Sequence, residues 1–129
     1  MFEFLFQHQL WSVLLVLAVL STAACTAHYT PHPGALNVTD SAAYDALLVA
    51  EAAIEQARTE NQTRPLSAEA KAALNAVIDS YNIARTAWLM YRGAIATNTS
   101  SHQYFQQLTQ NLTGLTNALR DLNRREVKQ

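Results

Sequence analysis

Residues 68–95 read AEAKAALNAVIDSYNIARTAWLMYRGAI, and the positions Leu74, Val77, Tyr81, Ala84, Trp88, Tyr91 and Ile95 alternate intervals of three and four without a miss. That alternation tracks the 3.6-residue turn of an α-helix and places all seven side chains on one stripe, whereas a strand would scatter them over both faces. At 1.5 Å per residue the stretch makes a helix about 42 Å long. Pro65 stops whatever precedes it and Ser67 supplies a side-chain oxygen for the exposed N–H groups of the first turn. Gly93 weakens the last turn, and NTSS at 98–101 forms a loop.

Two shorter stretches on either side repeat the pattern. Ala43, Leu47, Ala50, Ile54 and Ala57 form one seam, widened by Tyr44 and Leu48, with Asp40 or Ser41 as its cap. Phe105, Leu108, Leu112, Leu115, Leu119 and Leu122 form another, opened by Ser100 with Gln103 three residues on, a capping-box pattern. Gly114 is the weak residue inside it. No alternation of period two competes with this reading. Three seams joined by short loops are best buried by folding up, down and up around one core. The expected fold is therefore all-α: an antiparallel three-helix bundle with coiled-coil-like seams, its helices at 40–60, 67–97 and 101–125. Composition agrees, since 22 Ala and 17 Leu in 129 residues favour helix.

The start of the chain is different in kind. Leu10 to Leu20, LWSVLLVLAVL, is interrupted only by Ser12. It is shorter than the about 20 apolar residues that span a bilayer and fits the core of a secretory signal. Small residues Ser21 to Ala24 follow, and then Cys25, the one cysteine of the chain. This segment resembles a bacterial lipoprotein signal, with Ala23, Ala24 and Cys25 in the last three places of the lipobox; Thr22 stands where that pattern has Leu. The opening MFEFLFQHQ departs from it, carrying Glu3 and no Lys or Arg. The resemblance implies a signal peptide over 1–24, lipidation at Cys25, and a mature protein held at the cell envelope. The anchor would lie in the outer membrane, facing the periplasm or the cell exterior, because Thr26 rather than Asp follows the cysteine. Cleavage that leaves a free thiol, or an uncleaved anchor, are the other fates of the same residues.

Residues 25–39 contain Pro31, Pro33 and Gly34 and no periodicity, and read as a flexible linker before a bundle at 40–129. His28 and His32 are four apart, but the prolines forbid the helix that would make this a ligand spacing, and no further donor completes a metal site.

Antiparallel order brings the start of the first helix, the end of the second and the start of the third together, and with them Tyr44, Trp88, Tyr91, Tyr104 and Phe105. Trp88, Tyr91 and Tyr104 are candidate contacts for an apolar ligand, a lipid or an interface; the alternative is that these rings are ordinary core. The opposite end gathers seven bases, Arg58 to Lys128, interleaved with five acids, too weak an excess for nucleic acid. Along the chain the charges split, six acids against two bases in 40–69 and three against seven in 71–128.

Glu-x-x-His, His-Glu-x-x-His, Gly-x-Ser-x-Gly and a phosphate-binding glycine loop are all absent from the sequence, and a compact bundle offers little concave surface, so neither an enzyme nor a cofactor is expected. Ile78 and Leu89 beside Arg85, with Ile83 and Met90 on a further side, form a second apolar strip on the middle helix. It points to a protein partner or a homo-oligomer, the alternative to an interaction module or ligand-binding bundle being a secreted structural or spacer protein. Asn-x-Ser/Thr occurs at Asn37, Asn61, Asn98 and Asn111, where the counts of Asn, Ser and Thr predict about 1.2 by chance. Turn chemistry accounts for such enrichment, and in a eukaryotic source the same sites would be glycan acceptors.

Overall fold

The computed structural model describes residues 30–127, which form three α-helices and no strand: α1, Val38–Thr63; α2, Ala68–Ala96; α3, His102–Val127. The helices pack on one another as a three-helix bundle, and Pro31–Gln129 is one compact unit. Cys25 and His28 lie outside the described residues.

Each helix begins and ends for a local reason. The first starts two residues earlier than the seam predicts because Asn37, rather than Asp40 or Ser41, is its cap: Asn37 Oδ1 accepts the Asp40 N–H at 2.8 Å. Ser67 caps α2 as expected, accepting the Ala70 N–H at 3.1 Å. Between α1 and α2, Asn61 Oδ1 accepts the Leu66 N–H at 3.0 Å and holds the turn at Pro65 closed. Beyond α2 the Thr99 N–H reaches back to Ala94 O and the Asn98 N–H to Ile95 O, the paired bonds of a Schellman ending. Asn98 takes the left-handed backbone that this ending needs, with φ of 53°. The third helix opens one residue later than expected, with Ser101 O accepting the Phe105 N–H.

The seams are the core. Ala43, Leu47, Ala50, Ile54 and Ala57 are all buried, as are Leu74, Val77, Ala84 and Tyr91 on α2 and Leu108, Leu115 and Leu122 on α3. Tyr81, Trp88, Ile95, Leu112 and Leu119 close the edges half-buried. The pairs are unequal. The α2–α3 pair is the most extensive, and α1 meets α3 over far less of its length than it meets α2. Alanines at 73, 84, 87 and 94 on the inner side of α2 leave room for this close approach. Phe105 is the departure from the third seam: it is 43% exposed, its ring 6.4 Å from that of Tyr91. With α1 and α3 in such limited contact, much of the ring is left to solvent. Leu66, which belongs to no seam, is buried in the α1–α2 turn.

Candidate functional site

The aromatic end is organised around a carboxylate. Asp40, in the first turn of α1, is fully buried. A buried charge needs partners, and the sequence supplies them from both directions. Trp88 Nε1 donates to Asp40 Oδ1 at 2.6 Å, and the Leu36 N–H donates to Oδ2 at 2.9 Å. Arg92, one turn beyond Trp88 on α2, sets its Nε 3.7 Å from Oδ1 and lays its guanidinium 5.2 Å from the centre of the Trp88 ring. The positive end of the α1 dipole favours the same carboxylate.

Residues 32–37 are fastened to this centre. Pro33 and Gly34 occupy the middle of a turn closed by the Ala35 N–H on His32 O, and Gly34 takes φ of 84°, the conformation a type II turn requires at that place. The turn points the His32 N–H at Ser41 Oγ, 2.9 Å away, and sets the centre of the His32 ring 4.4 Å from that of Tyr44, the two planes tilted by 47°. Tyr44 in turn leans on Trp88, with ring centres 5.7 Å apart. Asn37, besides capping α1, donates from Nδ2 to the Tyr91 hydroxyl at 3.0 Å. The segment that the sequence reads as the end of a linker thus lies along the bundle as a strap, at least from His32 onward.

The predicted site residues fall into place as follows. Trp88 is half-buried and Tyr91 buried, and the polar atoms of both are engaged within the chain. Tyr104 is half-buried against the cluster of Ala43, Ala87, Tyr91 and Leu108. Trp88 and Tyr91 are brought together with Asp40, Asn37 and Arg92, a set that pattern reading did not assemble. Asn37 with Asp40 three residues later, and Trp88 with Arg92 four apart, were the available signals. Both Asp40 oxygens accept hydrogen bonds, which fasten the carboxylate between the strap and α2. Among the described residues no three His, Cys, Asp or Glu side chains gather as metal ligands, and the one buried side-chain polar atom without a hydrogen-bond partner is His32 Nε2.

Elsewhere two groups have displaced titrations. Burial, then the hydrogen bond to Glu51 and the charge of that carboxylate, push the Tyr81 hydroxyl above the usual tyrosine value. Burial and the nearby charge of Glu60 push Glu126 above the usual glutamate value. Glu60 and Glu126 line one groove at the far end, with Arg64 beside them. No helix among the described residues is long and apolar enough to cross a membrane.

Neither a family model, nor a curated protein, nor a solved structure matches this chain.

Proposed function

We propose that this protein is a non-enzymatic helical interaction module, exported and held at the cell envelope through a lipid on Cys25. The observation that carries the interaction reading is the exposed apolar surface of α2, where Ile83 is 57% and Met90 46% exposed on one side and Leu89 is 46% exposed on another. Three large apolar side chains on one helix, outside a core that already has its seams filled, are the kind of surface a protein partner covers. The attachment reading is supported by Ala23-Ala24-Cys25 behind the apolar run Leu10 to Leu20. A ligand or lipid at Trp88, Tyr91 and Tyr104 has less in its favour, because the polar atoms of Trp88 and Tyr91 bond within the chain.

A photo-crosslinking residue placed in the full chain at 83, 89 or 90, in intact cells, tests the interaction reading. Discrete adducts are expected from these positions and none from the exposed position 75 on the same helix. Absence of adducts from all three would overturn it. Cys25→Ser followed by fractionation tests the attachment, with loss of membrane association expected and unchanged association contradicting it.

A further inference from the structure

The flank of the bundle where α1 and α3 face each other carries a more specific reading, one that rests on the attachment just proposed. Glu51 meets Tyr81 and Tyr44 leans on Trp88, so that side of α1 belongs to α2. Val38, Ala42, Ala46, Val49 and Ala53, spaced four, four, three and four, form a stripe on the other side, toward α3. On α3, Gln107 and Asn111 line a groove with Ile83 and Met90 of α2. That leaves Phe105, Thr109, Leu112 and Thr116, spaced four, three and four, on the flank toward α1. At the far end the same flank gathers Glu60, Arg64 and Glu126 around one groove. Because α1 and α3 touch over little of their length, the flank stays open.

Two features mark the half of this flank nearest the strap. It is nearly free of charge: α3 has no Asp, Glu, Lys or Arg before Arg120. Of the charged residues in 38–53, Asp40 is in the clamp, Glu51 is held by Tyr81, and only Asp45, half-buried, borders the stripe. Val49 is 64% exposed, Val38 57% and Phe105 43%. The hydroxyls on the flank are also spent within their own helix. Thr109, Thr113 and Thr116 each donate at 2.9 Å to the carbonyl four residues back. Threonines bonded in this way bring no unmet donor into an apolar medium.

We propose that this half of the α1–α3 flank lies on the bilayer that holds Cys25, with Val38, Val49 and Phe105 at the boundary between headgroups and acyl chains. Cys25 precedes His32 by seven residues, a reach of at most about 25 Å. The bond from His32 to Ser41 ties that point to the first turn of α1. Without the strap the same lipid would hold the bundle only through Asn37, at a reach of about 43 Å. The strap thus keeps α1 close to the membrane. Alanine, threonine and valine make a weakly apolar surface, which binds a bilayer poorly by itself; the anchor supplies the effective concentration that makes it sufficient. Charge sets the tilt, because Glu60, Arg64 and Glu126 at the other end of the flank stay in water. Across the core, α2 then holds Ile83 and Met90 away from the lipid, where a protein partner reaches them.

The test uses the lipidated chain in vesicles of phosphatidylethanolamine and phosphatidylglycerol, spin-labelled on one introduced cysteine: Val49→Cys, Thr109→Cys, Thr86→Cys or Arg124→Cys. Lipid on Cys25 leaves the introduced thiol as the one that reacts. The ratio of relaxation by oxygen to relaxation by a water-soluble nickel chelate should be about threefold or more higher at 49 and 109 than at 86 and 124. Ala42→Glu with Val49→Glu should return the label at 109 to the ratio seen at 124, with helical content and vesicle binding unchanged. Labels at 49 and 109 as open to the chelate as those at 86 and 124, on a chain still bound to vesicles, would overturn the proposal and leave the attachment standing. Labels at 49 closed to both reagents, or broadened by a neighbouring label in dilute vesicles, would assign the flank to a second copy and overturn it as well. A Cys25 thiol that reacts in the unsubstituted chain, on a protein that does not sediment with vesicles, would remove the attachment and this reading together.

Discussion

The two ends of the bundle are held by different chemistry. Where α1 starts, a buried carboxylate collects an indole N–H, a backbone N–H and a guanidinium, and through them ties strap, α1 and α2 together. Where α1 ends, the turn is closed by an Asn61 bond and the burial of Leu66, and the charges that face each other, Glu60 and Glu126, are alike. Apolar contact is non-directional and fills space; the clamp is directional and fixes which residue sits beside which. The end from which the strap leads back toward Cys25 is therefore the one with a defined geometry across helices, and the far end is held by packing and by local bonds of the turn, against a small repulsion.

The largest expected effect comes from removing the clamp. Asp40→Ala strands the Trp88 and Leu36 donors, at about 1–3 kcal/mol each, so a loss of roughly 2–6 kcal/mol is expected in denaturant unfolding. A loss below about 1 kcal/mol would mean that the two ends do not differ in kind. Asn37→Ala removes a cap and the bond to the Tyr91 hydroxyl, and should cost about 1–2 kcal/mol by the same measurement. At the far end the sign reverses. The Glu126 titration is raised in the folded protein, so the stability linked to its proton is complete below the ordinary glutamate range and is lost as pH rises through the higher folded value. Glu126→Gln should therefore raise the melting temperature slightly at neutral pH and leave it unchanged at pH values below that range, the smallest effect of the three. Thermal melts at the two pH values check it; equal shifts at both would contradict it.

The helices were legible because burial in a bundle imposes a period, and Leu74 to Ile95 displays that period without a break. Caps were legible where one side chain acts alone, as at Ser67, and misplaced where two cooperate. Asn37 and Asp40 both suit a cap, and what assigns the role to Asn37 is that the Asp40 carboxylate is drawn instead to Trp88 and Arg92, 48 and 52 positions away in sequence. The strap was hidden for the same reason. His32–Asn37 has the proline and glycine of a linker, and its order comes from bonds to Ser41, Asp40 and Tyr91 that no local pattern announces. Phe105 kept the period yet is partly exposed, because periodicity reports which stripe a residue lies on and says nothing of whether a third helix comes close enough to cover it. The aromatic end was legible as a grouping of Tyr44, Trp88 and Tyr91, while the buried carboxylate at its centre was not.

Hydrogen exchange followed by NMR tests the clamp most directly. In the native protein the Trp88 indole N–H and the Leu36 amide should both exchange slowly, and both should lose protection together in Asp40→Ala while amides at the far end of α2, such as Val77, stay protected. A Leu36 amide that exchanges as fast as an open chain in the native protein would contradict the account, because the strap would then not be fastened at all.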